Sequence, residues 1–82
     1  MRQINATTET EAKAEAISVS LDNPGQYVTT FACFGLFLEV KPRLHANDPS
    51  DAAYKWYCLN GTVKPFTERQ VIADQQATPA LH

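Results

Sequence analysis

Apolar and polar side chains alternate along residues 54–66, Tyr-Lys-Trp-Tyr-Cys-Leu-Asn-Gly-Thr-Val-Lys-Pro-Phe, and the alternation turns about one Asn-Gly pair. Asn60-Gly61 favours positive φ at both central positions of a type I′ turn, so the stretch predicts a two-residue β-hairpin. The turn sets the register: Leu59 faces Thr62, Cys58 faces Val63 and Trp56 faces Pro65. One face then carries Tyr54, Trp56, Cys58, Val63 and Pro65 and reads as core. The other carries Lys55, Tyr57, Leu59, Thr62, Lys64 and Phe66 and reads as a mixed surface. Pro65 has no backbone donor, which places its strand at a sheet edge.

Residues 27–41 are the main apolar block. One strand of that length is unusual, and Gly35 offers a break. A two-residue loop at Phe34-Gly35 pairs Cys33 with Leu36 and Phe31 with Leu38. It puts Tyr27, Thr29, Phe31, Cys33, Leu36, Leu38 and Val40 on one face. Val28, Thr30, Ala32, Phe37, Glu39 and Lys41 take the other. A bent single strand with a bulge at Gly35 is the alternative.

Helical signals flank these hairpins. Thr8 with Glu11 fits a capping box, and Glu-Ala-Lys-Ala-Glu-Ala favours helix, so the expected helix spans 9–22. Ile17, Val19 and Leu21 alternate with Ser18 and Ser20, a strand pattern that competes with it. Asp22-Asn23-Pro24-Gly25 is a stop and a turn. Thr67 caps a second helix from Glu68 that fades near Ala77-Thr78-Pro79. Residues 42–53 read as a connection. Asp48-Pro49-Ser50-Asp51 could start a helix running on toward Asn60-Gly61, but the aromatic and β-branched content of 54–66 favours the hairpin. The sum is an α+β fold: a small antiparallel sheet of about four strands in two hairpins, with an N-terminal and a C-terminal helix packed on one face.

Length changes this picture little. The chain has 82 residues, enough for one small domain over 1–82, with 1–7 (a tail or a short edge strand) and 77–82 as flexible tails. Such a chain buries only roughly 60% of its unfolded surface, leaving little room for a deep catalytic pocket. A composition of 44% hydrophobic and 20% charged residues is that of a globular protein. No apolar run reaches membrane-spanning length and the N-terminus lacks the apolar segment of a signal peptide, so a cytoplasmic protein is expected.

The net charge of −2 speaks against a general nucleic-acid binder. The charge is uneven: Glu9, Glu11, Glu15 and Asp22 stand against Arg2 and Lys13 early in the chain. Lys41, Arg43, Lys55, Lys64 and Arg69 stand against Asp48, Asp51 and Glu68 later.

Candidate chemistry is sparse. Cys33, His45, Cys58 and His82 could ligate zinc in principle, but no Cys-x-x-Cys or His-x₃-His pair exists. No metal or cofactor is therefore expected. Both cysteines fall in expected strands and read as small buried hydrophobes. In an oxidising compartment they could form one bridge. A thiol enzyme would need an electropositive, partly open setting for Cys58 or Cys33, and the sequence shows none. The three glycines form no phosphate loop, and no pair of carboxylates suggests acid–base work. The chain reads as a non-enzyme.

Two binding readings follow. Lys55, Tyr57, Lys64 and Phe66 share an expected strand face, and cations with aromatics suit single-stranded nucleic acid. Phe34 and Phe37 lie off the core face of the first hairpin, and two short helices leave aromatics over. Uncovered aromatics on a small domain mark a protein interface. The leading expectation is a protein-binding module with contacts at Phe34, Phe37, Lys55, Tyr57, Lys64 and Phe66. Homodimer formation by edge pairing is its simplest form, and nucleic acid is the alternative. In size and composition, though in no motif, the chain resembles small phage or mobile-element proteins that block host machinery, such as anti-CRISPR inhibitors. That resemblance implies an inhibitor of a host protein.

Overall fold

A computed structural model describes residues 2–4, 6–44 and 52–77. Its elements are β1 (Arg2–Ile4), α1 (Glu9–Asp22), β2 (Tyr27–Ala32), β3 (Leu36–Lys41), β4 (Trp56–Leu59), β5 (Thr62–Pro65) and α2 (Glu68–Ala77). The strands form one sheet in the order β1-β3-β2-β4-β5, and every neighbouring pair is antiparallel. The expected α+β class and the four hairpin strands are present. The start of the chain adds a fifth strand, since Arg2, Gln3 and Ile4 pair with Leu38, Phe37 and Leu36. Of the other expected tail, Ala77 closes α2 and 78–82 lie outside the described residues, as does the Asp48–Asp51 segment.

Helix α1 begins where the capping box places it. The Thr8 hydroxyl accepts from the Glu11 amide at 3.2 Å, and the Glu11 carboxylate accepts from the Thr8 amide at 3.2 Å. The Thr7 amide and hydroxyl also donate to that carboxylate, each at 2.8 Å. These donors hold the Glu11 carboxyl below the usual carboxylate range, the Thr7 hydroxyl most of all. The strand-like alternation over 17–21 yields to this cap and to the alanines. Ala12, Ala16, Val19 and Ser20 form the buried stripe, at helical spacing. Small side chains let the helix lie close on β4, β2 and β5.

The end of α1 locks onto the second hairpin. Asn60 and Gly61 have φ 50 and 82, as the type I′ turn demands. The Gly61 amide donates to the Ser20 hydroxyl at 2.8 Å, and that hydroxyl donates to the Ile17 carbonyl at 2.8 Å. The Asn60 side-chain oxygen accepts from the Gly25 amide at 2.8 Å. The register of β4 and β5 is the expected one: Leu59 with Thr62, Cys58 with Val63, Tyr57 with Lys64, Trp56 with Pro65.

The first hairpin differs from expectation by one residue. Thr30 pairs with Leu38, Phe31 with Phe37 and Ala32 with Leu36. The loop is therefore Cys33-Phe34-Gly35, closed by a 2.9 Å bond from the Cys33 amide to the Gly35 carbonyl. A three-residue loop needs left-handed backbone, and Phe34 (φ 51) and Gly35 (φ 139) supply positive φ. A one-residue slip exchanges faces. Val28, Thr30, Ala32, Leu36, Leu38 and Val40 now share one face, and Tyr27, Thr29, Phe31, Phe37, Glu39 and Lys41 the other. Cys33 leaves its expected strand and lies exposed in the loop.

Both faces of the sheet carry core, and this changes the expected placement of the helices. Under α1, Ala12, Ala16 and Val19 pack with Ile4, Val28, Leu38, Trp56 and Cys58. Tyr57 lies between Trp56 and Cys58 in β4 and so points the other way. There it meets Tyr27, Leu44, Phe66 and Val71 of α2. The helices thus lie on opposite faces. The physical reason is the aromatic content of the second face: Tyr57 and Phe66 are too large and apolar to leave in water, and α2 with Leu44 covers them.

Candidate functional site

The residues expected to form a binding surface separate into two groups. Tyr57 is wholly buried and Phe66 is 2% exposed. Their rings meet edge-to-face at 5.2 Å and 69°, and Tyr57 meets Tyr27 the same way at 5.8 Å and 60°. This is an aromatic core cluster rather than a stacking platform. Lys64 is half-buried opposite Tyr57, and Lys55 is exposed, its carbonyl accepting from the Phe66 amide at 3.0 Å. The second hairpin therefore brings Lys55 and Lys64 near each other, without an aromatic ring free to stack between them.

Phe34 and Phe37 lie together on the β2–β3 hairpin. Phe34 stands at the tip with relative exposure of 105%. Phe37 is half-buried, directly across from a half-buried Phe31. Leu36 is half-buried as well, and Ala32, Cys33, Phe34 and Gly35 are all exposed. Residues 31–37 are thus seven consecutive positions without a polar side chain except the thiol, and none is buried. Phe31 and Cys33 belong to this tip although the sequence reading left them in the core, whereas Leu36, half-buried at its base, packs against the α1-side core as expected. A usable signal was present: no charged residue occurs from position 23 to position 38.

The backbone at the tip carries a cost. A left-handed φ costs an ordinary L-residue about 1–2 kcal/mol, which Gly and Asn largely avoid. Phe34 incurs that cost and recovers none of it by burial.

The remaining candidate groups lie away from the tip or outside the described residues. Cys58 is buried in β4, and burial pushes its thiol up to about 11, with Lys13 acting weakly in the opposite sense. Neither cysteine is bridged. Trp56 donates from Nε1 to Glu9 Oε2 at 2.7 Å, stacks on Tyr54 at 5.7 Å, and has the Lys13 ammonium 5.9 Å from its ring centroid. That cluster ties the first turn of α1 to β4. Of the four zinc candidates, His45 and His82 lie outside the described residues. Among the described residues no three His, Cys, Asp or Glu side chains gather as a metal-ligand set, and no helix is long and apolar enough to cross a membrane.

Compared with known proteins, the chain matches no family model, no curated protein and no solved structure.

Proposed function

We propose that this chain acts by binding another protein through the tip of its β2–β3 hairpin, and that it does so without catalysis. The observation that carries this reading is Phe34: a large apolar side chain, fully exposed, on backbone that disfavours it. Folding does not account for that residue. Its neighbours extend it into a continuous apolar tip, and patches of this kind on small domains serve recognition. The burial of Cys58 and the height of its thiol pKa support a non-catalytic role for that residue. Size and composition suggest the finer reading, a cytoplasmic inhibitor of host machinery carried by a phage or mobile element. Nucleic acid on Lys55, Tyr57, Lys64 and Phe66 is the weaker reading, because its two aromatics are committed to the core.

The test is affinity capture from a lysate of the host cells, with and without nuclease, followed by mass identification. A stoichiometric protein that survives nuclease supports protein binding. A set of partners that disappears with nuclease supports the nucleic-acid reading instead.

A further inference from the structure

Asn60-Gly61 carries a chemistry of its own. The Gly61 nitrogen, once it loses its proton, attacks the Asn60 side-chain Cγ. A C–N bond forms, closing a succinimide ring, and ammonia leaves. Water then opens either carbonyl of the ring, giving aspartate or isoaspartate. The chain has four asparagines, and this one is the best placed by sequence. Asn23 precedes Pro24, which has no N–H to lose. Asn5 and Asn47 precede Ala6 and Asp48, whose Cβ atoms hinder the approach, whereas glycine has none. Independently of what the tip binds, we infer that Asn60-Gly61 is a self-modification site held shut by the fold, with the end of α1 as its latch.

The turn misplaces the nucleophile. Ring closure needs the Gly61 nitrogen on the same side as the Asn60 Cβ. At a left-handed φ of 50, with the ψ of a type I′ turn, that nitrogen lies opposite Cβ, almost half a rotation about ψ away. Two anchors resist the rotation. The Gly61 N–H, whose proton must leave before attack, donates at 2.8 Å to the hydroxyl of Ser20, a wholly buried residue. The Asn60 Oδ1 accepts from the Gly25 amide at 2.8 Å, which aims the side-chain carbonyl at the turn after α1. That turn is itself tied to the helix: the Ser20 carbonyl accepts from the Asn23 amide at 3.3 Å, and the Asn23 carbonyl from the Gln26 amide at 3.1 Å. Leu21 closes the same side, since a Cβ at Gly61 would fall 2.7 Å from its Cδ2. Attack therefore waits until residues 20–25 lift off the β4–β5 turn. The products then differ in their fate. Aspartate keeps an oxygen for the Gly25 amide and tolerates positive φ. Isoaspartate adds a carbon to the main chain, so the two-residue turn no longer fits. Time spent open is recorded covalently, and that fraction of the chain is lost to the native hairpin.

Peptide mapping for isoaspartate tests this on the full chain, incubated at mildly alkaline pH. Folded wild type should modify Asn60 at least about a hundredfold more slowly than the chain unfolded in guanidinium chloride, the scale of a sub-global opening. Ser20→Ala keeps a small side chain in the buried stripe but removes the acceptor. It should speed the folded reaction about fivefold, the worth of one hydrogen bond. Val71→Ala is the control: it weakens the packing of α2 on the opposite face and leaves the latch intact, so it should react at the wild-type rate. A Ser20→Ala rate no higher than wild type, or one matched by Val71→Ala while circular dichroism shows both folded, overturns α1 as the latch. A folded rate equal to or above the unfolded one overturns the shut site and would mean that the Gly25 amide polarises Cγ for attack. Absence of isoaspartate from the unfolded chain removes the site altogether.

Discussion

At the scale of single residues, the two cysteines should behave oppositely. Cys33 is exposed and Cys58 is buried with its thiol raised to about 11. Iodoacetamide at pH 8 is expected to add one label per native chain, at Cys33, and a second only after unfolding. Mass spectrometry reads this directly, and rapid double labelling of native protein would contradict the packing of β4. The raised thiol also has a sign in stability. Burial makes the native state hold its proton more tightly than the unfolded chain, whose thiol has the ordinary value of 9.0. The native advantage is complete below pH 9 and is lost as pH rises toward 11, by no more than about 2 kcal/mol. Urea unfolding from pH 8 to 11 should fall more steeply for wild type than for Cys58→Ala. Thr29 offers a converse case. Its hydroxyl is buried without a hydrogen-bond partner, so Thr29→Val, similar in shape, should stabilise by about 1 kcal/mol in the same assay.

At the scale of elements, the account predicts a contrast between two glycines. Gly25 and Gly61 share φ +82, but a Cβ at Gly25 meets nothing within 4 Å, whereas one at Gly61 falls 2.7 Å from Leu21 Cδ2. Gly25→Ala should cost about 1 kcal/mol from backbone strain alone. Gly61→Ala should cost more, and Leu21→Ala in the same chain should recover the excess. Thermal unfolding of the four proteins checks this. Equal losses at the two glycines would mean that α1 is not seated on the β4–β5 turn as described. Elements with strong local chemistry were the legible ones. Asn60-Gly61 fixed its hairpin because few sequences tolerate two positive φ angles, and Thr8 with Glu11 fixed the start of α1 because that box satisfies its first amides. Residues 33–35 were less legible. Two- and three-residue loops both sort β2 and β3 into acceptable faces, since apolar residues occupy both phases of each strand. Nothing in the alternation marks Phe34 as left-handed, because the pattern records polarity and not backbone angle.

At the scale of the whole molecule, the sheet is buried on both sides, and this explains why Tyr57 and Phe66, two of the six expected surface residues, proved to be core. Tyr57 and Phe66 alternate with lysines, which reads locally as a mixed surface. Only the position of Leu44 and of α2 in the folded chain shows that their rings are covered. Phe34 and Phe37 were legible as candidates because both fell off the expected core face, and they remain on the tip although the register moved. Among the described residues Phe34 is the most exposed large apolar side chain, ahead of Leu21, Ile72 and Val40. The central claim is that Phe34 is kept for a partner and works against the fold. Equilibrium urea unfolding of Phe34→Asn beside wild type tests it most directly. Asparagine tolerates φ 51 and gives up no buried contact, so the variant is expected to be as stable as wild type or more stable, by up to about 1 kcal/mol. A loss of 1 kcal/mol or more, roughly that of a buried methylene, would mean that the ring packs into the protein itself and would contradict the account.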